Sequence, residues 1–318
     1  MADRPSEFAL IAELFAPLAT TPGAFALSDD AAIAPVRAGH DLIVTTDALV
    51  EGVHFLAGDP PDAIARKALR VNLSDLAAKG AEPAGYLLSL SLPQRIDRTW
   101  LEHFARGLGE DQNAFGVPLL GGDTTATPGP LSLTITAMGH VPAGAMIRRS
   151  GAKAGDGVYI SGTIGDAGGG LAVLQSGGGP AELIERYRLP SPRLALGRAL
   201  RGVASAAIDV SDGLLADLAH IADVSSVRIS VEAARIPRSA ALRALWGDTP
   251  AAIVHAATAG DDYEIAFTSA HEEQVMEAAG QAGVSVTRIG HVEQGAGLVV
   301  HDPEGREIAV ARAGFTHF

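Results

Sequence analysis

Nine aspartates, most of them beside glycine or hydroxyl residues, recur along the chain, and they are the residues that could do chemistry together. They are Asp29, Asp30, Asp47, Asp75, Asp123, Asp209, Asp212, Asp261 and Asp262. Most stand where the pattern predicts a strand end, which is where α/β sheets open onto ligands. Carboxylates that converge repel one another unless hard cations such as Mg²⁺ lie between them. The pattern predicts an all-oxygen magnesium site; the alternative is that each Asp belongs to an ordinary turn or helix cap.

Other metal and nucleophile chemistry has little support. The chain has no cysteine, which excludes disulfides, thiolate nucleophiles, iron–sulfur clusters and cysteine-bound zinc. Its ten histidines form no HxH or HExxH pair, which argues against a His-ligated zinc site. His54 is either a functional residue, since it follows Asp47 and Gly52, or an ordinary loop histidine.

Two nucleotide-binding motifs are absent or weak. No GxxxxGK[ST] sequence occurs, so the chain is not a P-loop protein. The glycines of residues 162–168 are spaced GxxGxxG rather than GxGxxG, which favours a tight turn over pyrophosphate binding. Arg148 and Arg149 are either solvated or a phosphate clamp.

The charge balance limits the partners. Lys and Arg number 24 against 37 Asp and Glu, a net charge of −13. This excess of acid argues against nucleic acid or an anionic membrane as partner. A phosphate ligand would therefore need divalent cations to bridge it to the protein.

Length and composition predict a soluble protein of two domains. The chain has 318 residues, of which 47% are apolar and 19% charged. It contains no apolar run of transmembrane length and no basic N-terminal region typical of a signal peptide. We expect a cytoplasmic protein, with which the lack of cysteine is compatible.

Helix and strand patterns alternate in both halves, which predicts a mixed α/β fold. In the first half we expect a helix from Ser6 to about Ala19, a hairpin of 31–35 with 42–46, helices over 60–80 and 97–115, and strands over 86–92, 117–120 and 131–139. In the second half we expect strands over 158–161, 206–210, 263–268 and 284–290, and helices near 168–175, after Pro192, to about Asp223 and over 271–282. The Gly-rich, basic segment 141–157 separates domains of residues 1–142 and 143–318.

Seven motifs together carry a resemblance to a known family. They are LSDDAAI (27–33), TTDALVEGVHF (45–55), NLSDLAAKGA (72–81), GGDTT (121–125), RSGAKAGD (149–156), IDVSDGL (208–214) and GDDYEIAFT (260–268). Their order and spacing resemble thiamine-monophosphate kinases, which belong to the ATP-binding superfamily of aminoimidazole ribonucleotide synthetase. The resemblance implies two α/β domains and a homodimer formed through strands of the N-terminal domain.

The same resemblance implies a function and a set of site residues. The family phosphorylates thiamine monophosphate to the diphosphate with ATP as co-substrate and several Mg²⁺ ions. The implied metal ligands are Asp30, Thr45, Thr46, Asp47, Asp75, Asp123, Asp209 and Asp212; the ATP-binding residues are Gly122, Arg149 and Ser211; the substrate-binding residues are His54, Asp261 and Phe315. For Phe315 the alternative is an ordinary core aromatic.

The sequence departs from the family pattern at two places. Asp261 stands where the family usually has Glu, so the contact with the substrate has a shorter arm. The family often has an aromatic residue near Ala105 for the nucleotide base, and here Phe104 is the candidate.

The implied reaction needs no general base, because the second pKa of a phosphate monoester is near 6 and its oxygen is already ionised. We therefore expect direct in-line transfer, with no catalytic acid or base. Two alternatives remain. One is another enzyme of the superfamily, although the selenophosphate and hydrogenase-maturation members typically use Cys or selenocysteine. The other is a structural module that binds divalent metal without acting on nucleotide.

Overall fold

The computed structural model describes residues 6–34 and 36–315. The chain divides into two compact units. Unit 1 comprises the described residues of Met1–Leu76 and Glu82–Gly144, and unit 2 comprises those of Ala77–Ala81 and Ala145–Phe318. The domain boundary at residue 142 stays a prediction.

The described part of unit 1 is built from a four-stranded sheet and three α-helices. Its helices are α1 (Glu7–Leu10), α2 (Pro61–Ala78, whose last residues belong to unit 2) and α3 (Arg98–Phe115); its strands are β1 (His40–Val50), β2 (Glu82–Pro93), β3 (Leu119–Thr127) and β4 (Ser132–Pro142). The strand order is β1-β4-β2-β3, in which β2 and β3 are parallel and the other pairs antiparallel.

The two long helices of unit 1 form for reasons that the sequence shows. Leu69, Leu73 and Leu76 are fully buried and recur at helical spacing along α2. The Asp97 side chain accepts a hydrogen bond from the Trp100 N–H at 2.8 Å and caps α3. Gly116 ends α3 with φ of 64°, a conformation that glycine adopts without strain. Both predicted helices are confirmed.

The N-terminal predictions are partly right. The Ser6 hydroxyl accepts a hydrogen bond from the Ala9 N–H, and helical turns continue from α1 to Leu18, the last of them 3₁₀. The predicted hairpin is wrong: residues 31–34 form no strand, and β1 pairs along its whole length with β4. Pro35 lies outside the described residues. Local alternation suggested the hairpin, but a partner distant in sequence completes the sheet.

Unit 2 is a six-stranded sheet with helices packed against it. Its strands are β5 (Gly157–Ser161), β6 (Ala206–Asp209), β7 (Arg228–Glu232), β8 (Ile265–Ser269), β9 (Val286–Glu293) and β10 (Gly297–His301). Its helices are α4 (Asp166–Ser176), α5 (Ala181–Arg188), α6 (Leu194–Ala199), α7 (Leu214–Ser225), α8 (Ala240–Trp246), α9 (Pro250–Ala257) and α10 (Glu272–Ala282). The strand order is β10-β7-β9-β5-β8-β6, antiparallel except for the pair β10 and β7.

The core of unit 2 lies between this sheet and its helices, with Val158, Ile208, Leu215, Leu218 and Ile229 almost completely buried. Most predicted elements are confirmed, but β8 begins at residue 265 rather than 263. The five residues before it, 260–264, form a separate irregular segment. Among the helices of residues 6–34 and 36–315, none is long and apolar enough to cross a membrane.

Candidate active site

Strand β1 and helix α2 bring together four oxygen-bearing side chains of unit 1, which we call the strand–helix group: Thr45, Asp47, Asn72 and Asp75. The Thr45 hydroxyl donates to Asp75 Oδ2 at 2.5 Å, and the Asp47 N–H donates to Asn72 Oδ1 at 3.1 Å. Asn72 and Asp75 are one helical turn apart and therefore share a face of α2.

The electrostatics of this group favour a cation. Burial, and next the charge of Asp75, raise the pKa of Asp47 to about 6. Within the part of the chain that the structure describes, no Lys or Arg forms an ion pair with Asp47 or Asp75. The atoms that could act as metal ligands are hydroxyl, amide and carboxylate oxygens, which suit Mg²⁺. The residues present therefore fit the predicted metal.

Thr46 lies on the other face of β1, because successive side chains of a strand alternate. Its hydroxyl donates to the Ile135 carbonyl at 3.2 Å and lies 3.0 Å from the Thr136 hydroxyl. The structure thus separates Thr46 from the strand–helix group. The expectation that 45–47 ends a strand is wrong, since β1 continues to Val50.

A cavity of about 640 Å³ lies in unit 1 between the N-terminal segment and the sheet. Asp29, Asp30, Gly122 and Asp123 line it together. A Cβ at Gly122 would lie 1.8 Å from the Leu88 carbonyl oxygen, so only glycine fits there. Asp123 lies inside β3 rather than after a strand, which corrects the sequence prediction. Predicted metal and nucleotide residues thus share one cavity.

His54 is held in a turn that follows β1. Its Nδ1 accepts the Val50 N–H at 3.0 Å, which in the neutral ring places the proton on Nε2. Its carbonyl accepts from the Lys67 ammonium, also at 3.0 Å, and Lys67 is 2% exposed. Sequence analysis did not single out Lys67. The available signal was a lysine at a position of α2 that lies among buried apolar residues.

In unit 2, Asp209 is the last residue of β6, and the loop that follows carries the predicted residues Ser211 and Asp212. The buried Asp217 holds this loop, because its Oδ2 accepts the N–H of Ser211 at 3.0 Å and that of Asp212 at 3.2 Å. Burial, and next the Asp212 charge, raise the pKa of Asp217 to about 7, although the backbone donors lower it.

Oxygen and nitrogen atoms of Asp212, Asp217 and His220 lie within 4.8 Å of one another and could hold a metal ion. Sequence reasoning missed Asp217 and His220. The available signal was their spacing of three residues on α7, which places them on one face.

The predicted substrate residues Asp261 and Phe315 come to the same loop. The Asp261 N–H donates to the Ser211 carbonyl at 2.7 Å, and the Phe315 N–H donates to the Asp212 carbonyl at 2.8 Å. The Phe315 side chain is 45% exposed, so the alternative of a core aromatic is wrong. The rest of the C-terminal GFTHF sequence, 316–318, lies outside the described residues. Backbone hydrogen bonds thus join the loop that carries the predicted metal ligand Asp212 to the two predicted substrate residues.

The glycine loop of residues 162–168 is closed by the protein itself. Asp262 Oδ2 accepts the Gly165 N–H at 2.7 Å and its Oδ1 accepts the Ala167 N–H at 3.2 Å, at the start of α4. The donors that a pyrophosphate would use therefore bind an internal carboxylate. This supports the tight-turn interpretation.

The two remaining predictions on the nucleotide side differ in outcome. Arg149 is exposed, and its backbone carbonyl accepts a long hydrogen bond of 3.5 Å from Ser225 Oγ. Phe104 is fully buried and stacked on Trp100 with 5.2 Å between ring centroids. Phe104 therefore belongs to the core, and its prediction as an adenine contact is wrong because α3 turns it inward.

Comparisons with known proteins agree with these motifs over nearly the whole chain. Residues 28–141 match the AIR synthase related protein N-terminal domain, and residues 153–303 match the C-terminal domain. The thiamine-monophosphate kinase of Caulobacter vibrioides is 46% identical, with 98% of this chain and 91% of that protein covered.

Two solved structures are also similar. The thiamine-monophosphate kinase of Stenotrophomonas maltophilia K279a has 43% identity and a TM-score of 0.81, covering 88% of this chain and 90% of its own. AaThiL complexed with AMPPCP and TMP has 31% identity and a TM-score of 0.79, covering 98% of this chain and 97% of its own. With that identity and coverage, the chain belongs to the thiamine-monophosphate kinase family of AIR synthase related proteins.

Proposed function

We propose that this protein transfers the terminal phosphoryl group of ATP to thiamine monophosphate and forms thiamine diphosphate. The observation that carries the proposal is the strand–helix group, which lies in two of the family's motifs and lacks a cationic partner among the described residues. The relatives named thiamine-monophosphate kinase and the AaThiL complex with AMPPCP and TMP support both substrates.

Several Mg²⁺ ions are part of the proposal. In unit 1, Thr45, Asp47 and Asp75 would hold metal, together with Asp30 and Asp123 of the cavity. Asp209 and Asp212 of unit 2, and by resemblance Thr46, are the other proposed ligands. Mg²⁺ held by these residues would neutralise phosphate charge.

The chain's own residues position the two substrates for direct in-line transfer. The acceptor phosphate is already ionised at neutral pH, so no side chain has to remove a proton. Gly122, Arg149 and Ser211 are proposed for the nucleotide: Gly122 allows close approach in the cavity, and the exposed Arg149 offers a planar guanidinium to phosphate.

The acceptor side is proposed to use His54, Asp261 and Phe315. Thiamine carries a cationic thiazolium ring, which suits a carboxylate and an aromatic face. The backbone bonds that tie Asp261 and Phe315 to the 211–212 loop support this assignment, because they fix both residues beside Asp212. Asp261 would then contact the substrate in place of the family's usual Glu, with a shorter side chain.

A homodimer through unit 1 is part of the proposal. Strand β1 is an edge strand eleven residues long, and Leu42 and Val44 on its open face are 41% and 58% exposed. A long apolar edge of this kind pairs readily with another chain. A cytoplasmic location and the lack of nucleic-acid or membrane partners stay predictions.

The test measures ATP consumption and thiamine diphosphate formation with thiamine monophosphate, with thiamine and with no acceptor, each with and without Mg²⁺. We expect thiamine diphosphate to form in proportion to the ATP consumed. It should form only when thiamine monophosphate is the acceptor and only when Mg²⁺ is present. ATP binding without this transfer would identify a different enzyme of the superfamily. Metal-dependent melting with no effect of ATP would instead identify a metal-binding module.

A further inference from the structure

The segment 260–264, which we call the acidic arch, alternates buried and half-buried residues. Asp262 and Glu264 are 1% and 0% exposed, whereas Asp261 and Tyr263 are half-buried. The arch leads into β8 and lies against the 210–213 loop. Only Asp261 among these four is proposed above to contact substrate.

The arch is strained at the two half-buried residues. Asp261 has φ of 66° and Tyr263 has φ of 52°, which is the left-handed region that residues other than glycine avoid. An aromatic residue is rare there, and such strain persists only where the surroundings impose it. The Asp261 N–H donates to the Ser211 carbonyl and the Tyr263 N–H to the Val210 carbonyl. The strained conformation thus keeps the arch in register with the loop that carries Asp212.

Asp262 is the first of two buried anchors of the arch. Its carboxylate accepts the two N–H groups at the start of α4, Gly165 at 2.7 Å and Ala167 at 3.2 Å. It is thereby fixed to the loop that follows β5.

Glu264 is the second anchor and has more partners. Arg193 donates to both of its oxygens, at 2.5 Å and 2.7 Å, and Arg186 donates to Oε1 at 2.8 Å. The Ser161 hydroxyl donates to Oε2 at 2.6 Å. Both arginine side chains are about one-fifth exposed, but the carboxylate itself is fully buried. Charged groups paired in this way hold a fixed geometry.

We propose that Asp262 and Glu264 are positioning residues for the acceptor. The two anchors hold Asp261 and Tyr263 in the left-handed conformation, which sets Asp261 beside Asp212 at the distance its short arm requires. This inference rests on the proposed function. It assigns to the arch a role in binding thiamine monophosphate and none in binding ATP.

A purely structural role is the competing explanation, and unit 1 supplies a matched control. Asp111 is also fully buried and paired with two arginines, Arg66 at 3.0 Å and Arg70 at 2.5 Å. It joins α2 to α3 and is not among the proposed site residues. Loss of either network should cost stability, but only the arch should alter acceptor binding.

The experiment compares Glu264→Gln with Asp111→Asn in the full-length protein by steady-state kinetics and thermal melting. For Glu264→Gln we expect the KM for thiamine monophosphate to rise about tenfold, with the KM for ATP within about twofold of wild type. For Asp111→Asn we expect a lower melting temperature and both KM values unchanged. Arg186→Gln leaves Glu264 its other partners and should raise the acceptor KM about threefold.

The outcomes separate the two proposals. A wild-type protein that makes no thiamine diphosphate overturns the proposed function and the arch assignment with it. If the wild type is active but Glu264→Gln leaves the acceptor KM unchanged, or raises both KM values equally, the arch assignment alone is overturned. If Glu264→Gln does not fold, Arg186→Gln decides by the same criterion.

Discussion

The carboxylates of Asp47 in unit 1 and of Asp262 and Glu264 in unit 2 have the same chemistry but opposite surroundings. In unit 1, Asp47 lies near Asp75, and its described neighbours are hydroxyl and amide groups. In unit 2, Glu264 accepts from two arginines and a serine, and Asp262 accepts from two backbone N–H groups. The first arrangement has no cationic partner among the described residues, whereas the second is satisfied by the chain itself.

This difference shows how to distinguish a ligand-binding acid from a structural one. A carboxylate paired within the chain lowers its own free energy and that of its partners, so its loss destabilises the fold. A carboxylate held near another without a cation raises the free energy of the empty site, and its loss stabilises the fold while it removes function. The sign of the change in stability therefore tests the comparison.

The largest effect is expected for Asp47→Asn. Turnover should fall about 100-fold or more, because a metal donor at the reacting phosphates is lost. The free energy of unfolding in EDTA should rise, because the variant no longer holds a half-buried charge near Asp75. The measurement is thiamine diphosphate formation together with urea unfolding. If Asp47→Asn turns over as fast as the wild type at limiting Mg²⁺, Asp47 is not a metal ligand. If the variant is less stable than the wild type, the comparison between the two units is wrong.

A smaller effect is expected for Phe315→Ala in unit 2. The KM for thiamine monophosphate should rise about tenfold through loss of the aromatic contact, with the KM for ATP unchanged. Phe315 is 45% exposed, so the melting temperature should change little. Initial rates at varied acceptor and varied ATP give both constants. Phe315→Tyr, which keeps the ring, serves as the control; an acceptor KM as high as that of Phe315→Ala would contradict stacking.

The pH dependence of stability sharpens the comparison further. Burial raises the pKa of Asp262 to about 8, although its two N–H donors lower it. The pKa values of Asp47 and Asp217 are also raised, to about 6 and about 7. Each group has a folded pKa above its unfolded value of 3.8, so it binds more protons when folded. The metal-free protein should therefore lose stability as pH rises from about 4 to about 8.

Asp262→Asn should reduce this loss, above all near pH 8, where Asp262 has the highest pKa of the three and contributes most to the slope. Urea unfolding in EDTA at a series of pH values measures the slope for both proteins. An unchanged slope in the variant would mean that Asp262 does not titrate in this pH range.

The smallest effect is expected for Asp97→Ala. Asp97 caps α3 of unit 1 through the Trp100 N–H, so its loss should cost about 1 kcal/mol of unfolding free energy. Kinetic constants should stay at wild-type values, since the acid serves one helix end. Chemical unfolding and the standard assay check both. An altered KM for either substrate would show that acids in structural roles also tune the site.

Much of the fold was predictable because its signals are local. The Asp97 cap, the glycine end of α3 and the leucine spacing of α2 depend on neighbours within a few turns. The motif set gave the family and the two-domain class for the same reason, since it uses only residue types and their spacing. The β1 hairpin failed because the partner of β1 is β4, almost one hundred residues away.

What the sequence by itself determined is which residues carry oxygen and charge, and in which motifs they stand. Tertiary structure decided what each acid faces. Asp261 and Asp262 are adjacent in sequence, yet the first is half-buried beside the 211–212 loop and the second is buried against α4. Thr45 and Thr46 are likewise adjacent but lie on opposite faces of β1. Burial and partners set the free energy of a carboxylate, and both depend on contacts between residues far apart in the chain.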